Sequence, residues 1–214
     1  MNKKCCVVII THKERLDGDE DLSLKQMIKV FGEKRPITVV IPDNVSDEYY
    51  KQYDKLSICK VNNEWLSSYR EYNAMCCNKD FYNMFIDYEY ILICQTDCWA
   101  FEDRLDEFMD LGYDYYGAAW PHLSDRIGNG GFSLRKVNKM IELTSKYEYE
   151  KPINEDLWFC DVHKKEINIC DLETACNFSI EVPTTRYLNM IKTVPVGLHG
   201  KLMKRYWNHQ ELLK

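Results

Sequence analysis

The sequence lacks several features that would settle its class quickly. No apolar run approaches the ~20 residues that a membrane span needs, and the ten cysteines contain no CxxC pair. Internal repeats and low-complexity linkers are absent, as are the phosphate-cradling patterns GxxxxGK(S/T) and GxGxxG. There is no basic excess either: the formal net charge is −6, which argues against a nucleic-acid partner. An acidic chain that binds an anionic ligand needs a local device, such as a metal ion or a helix N-terminus. The start, MNKKCCVVIITHKE, is basic and then briefly apolar, but it has no small-residue cleavage site and reads as a first β-strand. Cysteines 5, 59, 94 and 170 sit inside apolar runs, where a thiol behaves as a small hydrophobe. Reduced, structural cysteines point to a reducing compartment and so to the cytoplasm.

What is present is a globular chain of 214 residues, 45% hydrophobic and 29% charged, long enough for a sizeable core. Cys5 to Thr11 is continuous and β-branched, as in a strand buried on both faces. Leu22, Leu24, Met27, Ile28 and Phe31 follow at helical spacing. Ser23 and Gln26 match a capping box for the start of that helix, and Gly32 supplies its end. Ile37 to Ile41 is a second buried strand, so the three elements make a crossover unit of a parallel sheet. Leu56 to Val61 reads as a third strand, residues 65–85 as one or two helices, and Tyr90 to Cys94 as the central strand. A short helix over Arg104 to Leu111 and a strand over Tyr113 to Ala118 come next. The glycine-dense GNGG, residues 128–131, is expected to open onto a helix carrying Val137, Met140, Ile141 and Thr144. Asn154 caps a further helix, Ile167 to Cys170 suggests a strand, and Lys201 to Leu213 a closing helix. The pattern predicts one α/β domain over residues 1–214.

Four places carry possible chemistry. Asp97 stands where the buried run Tyr90–Cys94 stops, and in open α/β sheets the ligand crevice lies outside the carboxyl ends of the strands. Such a carboxylate either caps the next turn or serves a ligand; Gln95 offers a second oxygen and Trp99 a wall. A lone carboxylate binds a hard cation best when substrate phosphate oxygens complete the shell. The GNGG loop either makes tight turns only or lets a ligand approach its backbone. Glu155 and Asp156, at a helix start, by themselves read as acidic residues that complement the helix dipole. His199, between Gly197 and Gly200, is a loop residue unless a metal needs an imidazole.

Taken in order, YEYILICQTD, YDYYGAAW, GNGGFSLR, NEDLWF and VGLHG resemble a microbial glycosyltransferase-like family with the GT-A fold. That fold is a mixed, mostly parallel central sheet flanked by helices. The resemblance runs from about Thr11 to His199 and extends distantly to Fringe and to core-1 β-1,3- and β-1,4-galactosyltransferases. It implies that QTD stands in for a DxD motif, with Gln95 replacing the first aspartate, and that Asp97 and His199 hold Mn2+ or Mg2+. It further implies that Asp156, paired with Glu155, is the catalytic base. Thr11, Gln95, Thr96, Trp120, Asn129, Gly130 and Gly131 would then bind the substrates. The expected reaction is inverting transfer of a sugar from a nucleotide sugar, most naturally a UDP-sugar, to a glycan or lipid-linked glycan acceptor in polysaccharide synthesis. Peripheral contact with the inner face of the membrane through the C-terminal helix would suit a lipid-linked acceptor. The competing expectations are an inactive nucleotide-sugar-binding module and a nucleotidyltransferase.

Overall fold

The computed structural model describes residues 3–150 and 152–207. Its strands, in chain order, are β1 (Lys3–Ile10), β2 (Ile37–Pro42), β3 (Leu56–Val61), β4 (Tyr88–Cys94), β5 (Trp99–Ala100), β6 (Tyr115–Tyr116), β7 (Ala119–Trp120), β8 (Arg126–Ile127), β9 (Phe132–Lys136), β10 (Ser179–Ile180) and β11 (Gly197–Leu198). Six of them form the central sheet in the order β3-β2-β1-β4-β9-β6. β1 pairs in parallel with both β2 and β4, β2 pairs in parallel with β3, and β9 runs antiparallel between β4 and β6. The architecture is therefore a mixed, mostly parallel sheet flanked by helices, as the sequence predicts.

The reason for that sheet is visible in its residues. Val7, Val8, Val39, Val40, Leu92 and Ile93 are all buried, so the β-branched runs meet apolar layers on both faces. The chain steps outward from β1 through β2 to β3 and then returns to β4 on the other side of β1. That reversal places a topological switch point between the carboxyl ends of β1 and β4, where open sheets bind ligands. Thr11 and Gln95 are the first residues beyond those two ends.

Several local expectations are corrected. The first helix spans Gly18–Phe31 behind Asp17, so Ser23 and Gln26 lie inside it and form no capping box. Their side chains face inward instead: Ser23 Oγ donates to the Cys98 carbonyl at 2.6 Å and Gln26 Nε2 to the Ala100 carbonyl at 2.6 Å. These bonds tie the helix to the segment after the QTD turn. The glycine loop opens onto strand β9, and the helix Val137–Lys146 begins only after it. The alternation in FSLRK is that of a strand, and β9 pairs with β4 through Cys94↔Phe132. Residues 65–85 hold the end of a 3-10 turn, Asn63–Leu66, and two helices, Tyr69–Cys76 and Lys79–Asn83. The expected strand at 167–170 reduces to one bridge between Tyr115 and Ile169. In the expected closing helix, Lys201–Tyr206 is a 3-10 helix, and residues 208–214 lie outside the described residues. Trp207 stacks on Trp99 with ring centroids 4.3 Å apart, so that ring faces the protein. Among the described residues no helix is long and apolar enough to cross a membrane.

Candidate functional site

A small three-stranded sheet, β10-β11-β5, assembles one half of the site. β11 pairs with β5 through Leu198↔Trp99, and β10 with β11 through Ile180↔Leu198. One residue past β10 and β11, and one before the antiparallel β5, this register sets Glu181, His199 and Cys98 side by side. It explains how a histidine about a hundred residues from the QTD turn reaches it. His199 Nε2 lies 3.1 Å from Gln95 Oε1 and 3.4 Å from Asp97 Oδ1, and its Nδ1 lies 3.3 Å from Glu181 Oε1. Burial lowers the basicity of the imidazole, but the Asp97 and Glu181 carboxylates outweigh it and lift the pKa to about 9.

These residues fit a divalent cation. Ligand atoms of Asp97, Cys98 and His199 lie within 4.8 Å of one another. Asp97, His199 and the Gln95 side-chain oxygen form a carboxylate, imidazole and carbonyl set that suits a divalent cation with further oxygen ligands. The buried Nδ1 of His199 has no aligned hydrogen bond, although Glu181 stands beside it. A metal-bound histidine commonly turns its second nitrogen to a carboxylate in this way. Cys98 is a poor ligand here: it is buried, its thiol pKa is raised well above the usual by desolvation, and Sγ donates to the Gly131 carbonyl at 3.0 Å.

The glycine loop closes on the same turn, since the Gln95 amide donates to the Gly131 carbonyl at 2.8 Å. Its last two glycines are required by close approach. A Cβ on Gly131 would fall 2.2 Å from His199 Nε2, and one on Gly130 would fall 2.1 Å from Glu155 Oε1. The glycines thus make room for functional side chains as well as lining the cleft. Asn129 is buried and accepts the Gly131 amide at 3.1 Å, which fixes the loop.

Glu155 and Asp156 have different surroundings. Glu155 is buried, and its two oxygens each lie 2.9 Å from the guanidinium of Arg135, itself fully buried. Arg135 also bonds Ser133 Oγ and the Tyr82 hydroxyl, and its guanidinium lies over the Tyr115 ring. The Glu155 amide is held by Asn73 Oδ1 at 2.8 Å. Asp156 has no such counterion: burial first, and the neighbouring Glu155 charge second, push its pKa up to about 7. It accepts the Leu157 amide at 2.8 Å and the Gly130 amide at 3.3 Å. Asn154 occupies the cap position but its side chain makes no cap bond.

Two cavities meet along this seam. One, of about 250 Å³, is lined by Trp120, Asn129, Gly130, Gly131, Glu155, Asp156, Glu181 and His199. The other, of about 380 Å³, is lined by Thr11, Lys13, Glu20, Thr96 and Asp97. Tyr69, Tyr72 and Gln95 border both. The structure therefore brings the expected metal, substrate and acid–base residues around one two-chambered cleft, but Trp99, expected as a wall beside Asp97, lines neither chamber and stacks on Trp207 instead. Thr11 Oγ1 accepts the Lys13 amide, and Thr96 Oγ1 donates to Glu20, so both threonines brace the larger chamber. Glu181 and Arg135 went unnoticed in the sequence. Arg135 ends the GNGGFSLR motif and was legible there as a charge inside an apolar strand; Glu181 has no such signal.

No curated protein matches the sequence. Among solved structures, the chain is similar to the galactosyltransferase LgtC, solved with donor and acceptor sugar analogues. That match has a TM-score of 0.61 and 11% identity and covers 97% of this chain and 95% of that one. It is also similar to the glycosyltransferase GlyE of Streptococcus pneumoniae TIGR4, with a TM-score of 0.57 and 15% identity. The match covers 99% of this chain, which spans 62% of the GlyE chain. Mouse xyloside xylosyltransferase 1 matches with a TM-score of 0.56 and 9% identity, over 92% of this chain and 98% of that one. At these identities the likeness shows the fold, which is the GT-A fold. A family profile matches residues 55–199, and the chain belongs to that family, described as protein of unknown function (DUF5672).

Proposed function

We propose that residues 1–214 act as one glycosyltransferase domain, moving a hexose with inversion from a nucleotide sugar, a UDP-sugar foremost, to a hydroxyl of a glycan or lipid-linked glycan. The observation that carries this reading is the joining of two chambers at one seam. One chamber holds a carboxylate, Asp156, with a pKa of about 7, and the carboxylate–imidazole pair of Asp97 and His199 stands at the border. Structural neighbours named as glycosyltransferases on the same fold support it. So does the order of the QTD, GNGG, NED and late-histidine segments, which keeps the likeness to Fringe and the core-1 enzymes within this reading.

Asp156 takes the proton of the attacking hydroxyl, and a base whose pKa sits near the working pH typically contributes ~10²–10⁴-fold. Glu155, held by Arg135, stands beside Asp156 in the same chamber, and its charge adds to burial in raising the Asp156 pKa. Asn129, Gly130, Gly131 and Trp120 hold the donor sugar, while Thr11, Gln95 and Thr96 border the nucleotide. Asp97 and His199 would hold Mn2+ or Mg2+, which would supply positive charge beside the diphosphate of the donor. Attack assisted by a base on the acceptor side favours inversion. All ten cysteines are free thiols, which suits a cytoplasmic enzyme.

Gln95 in place of a carboxylate favours one second reading, a nucleotide-sugar-binding module that has lost catalysis. Calorimetry with UDP, with and without Mn2+, tests the donor site. Binding at least about tenfold tighter with the metal is expected, and binding indifferent to it would remove the donor site from the account.

A further inference from the structure

Two features of the chamber holding Asp156 bear on what enters it. The first is Tyr69, which begins the helix Tyr69–Cys76 behind the Ser68 cap. A large ring at a helix start is normally laid against the core, yet Tyr69 is 65% exposed, more than any other large exposed hydrophobic residue among those described. Its ring runs nearly parallel to that of Tyr72, 17° between planes and with centroids 6.5 Å apart, and most of it stays open to solvent. Tyr72 is itself held, its hydroxyl accepting from Gln95 Nε2 at 3.2 Å. Tyr69 is near enough to Asp156 that, after burial, the carboxylate is the main influence raising its phenol pKa. Tyr69 borders both chambers and so reaches the one that holds the base.

The second feature is charge. Glu155 is paired with Arg135, which leaves Asp156 and Glu181 as the other carboxylates of the chamber; its histidines are His199, beside Glu181, and the solvent-exposed His122. Among the described residues lining this chamber none is a lysine or an arginine. A carboxylate, sulfate or phosphate on an incoming sugar would meet the Asp156 and Glu181 carboxylates, while the His199 imidazole is already flanked by Asp97 and Glu181. Hydroxyl groups, by contrast, meet amides such as Asn154, whose side chain does not cap its own helix.

We infer that the acceptor is an uncharged sugar whose apolar ring face lies on Tyr69, which brings one of its hydroxyls to Asp156. This rests on the reading of Asp156 as the acceptor's base. An aromatic platform suits a pyranose because the axial C–H groups of one face are apolar, while the rim of hydroxyls stays in reach of polar side chains.

Saturation-transfer NMR tests the inference on the full chain with UDP and Mn2+ present at pH 8. The probes are methyl glucoside, galactoside, mannoside and N-acetylglucosaminide, each beside a uronide or anionic counterpart. At least one neutral glycoside should bind, about tenfold more weakly in Tyr69→Ala and normally in Tyr69→Phe. Its anionic counterpart should bind about tenfold more weakly or worse. Equal binding of the anionic probes, indifference to Tyr69→Ala, or no binding of any neutral probe would overturn the inference. Loss of UDP affinity in Tyr69→Ala would assign the ring to the nucleobase and likewise overturn it. Neutral-sugar binding that depends on Tyr69, in a protein that turns over no donor, would defeat the transferase reading and the acceptor role with it, and leave Tyr69 as the platform of a neutral-sugar-binding site.

Discussion

Replacing Asp156 by Asn should stop catalysis and at the same time stabilise the protein, by an amount that grows with pH. The Asp156 pKa is raised from 3.8 to about 7 by burial and by the Glu155 charge. Below about pH 4 the folded and unfolded chains both hold the proton and there is no cost. Between pH 4 and 7 the unfolded chain releases the proton while the folded one keeps it, so stability falls as pH rises. Above pH 7 the full shift of ~3 units corresponds to about 4 kcal/mol. Asp156 is only partly buried and faces an open cleft, so solvent screening brings this to roughly half. Asn keeps one acceptor for the Leu157 amide and gives up the longer bond from Gly130, costing about 1 kcal/mol at every pH. The variant should therefore gain about 1–2 kcal/mol relative to wild type between pH 5 and pH 8, which is roughly 3–6 °C in Tm. Paired urea and thermal unfolding at the two pH values measure it. A stability difference that is the same at pH 5 and pH 8, or that moves against the variant as pH rises, would refute the assignment of a strained carboxylate. In the wild type the same ionisation should make kcat rise with pH through about 7.

Removing one partner of the Glu155–Arg135 pair leaves a buried charge alone, so Arg135→Met should cost about 3–5 kcal/mol in urea unfolding; a loss under 1 kcal/mol would mean the pair is solvated. Gly131→Ala puts a methyl group where the His199 ring lies and should leave the fold cooperative while weakening Mn2+-dependent UDP binding at least about tenfold; unchanged calorimetry would place His199 outside the metal site. Ser23→Ala removes the bond to the Cys98 carbonyl and should cost about 1–2 kcal/mol, with a larger effect on UDP affinity than on stability if the helix holds the QTD turn in place; equal unfolding midpoints would contradict the first part.

The parallel sheet was legible because strands such as Val7–Ile10 and Ile91–Cys94 are long, apolar and β-branched, and burial on both faces permits little else. The site was legible only in part. Asp97 could be placed from strand-end position, but the partnership with His199 depends on β5, β10 and β11, each two residues long. Strands that short have no periodicity to read, and for the same reason Glu181 left no trace. Ser23 and Gln26 misled because a capping box and a pair of inward donors use the same residue types, and only the true helix start at Gly18 separates them. The GNGG segment was misassigned in its sequel, since FSLRK before a helix hides a strand. Its last two glycines are needed to make room for His199 and Glu155, a close approach that the sequence does not display.

The central claim is sugar transfer from a nucleotide donor, and the most direct measurement is nucleotide release from a panel of UDP- and GDP-sugars with Mn2+ at pH 8. The account predicts release from at least one UDP-sugar, removal of that release by Asp156→Asn, and retention of UDP binding in that variant. No release from any donor, or full release by Asp156→Asn, would contradict it.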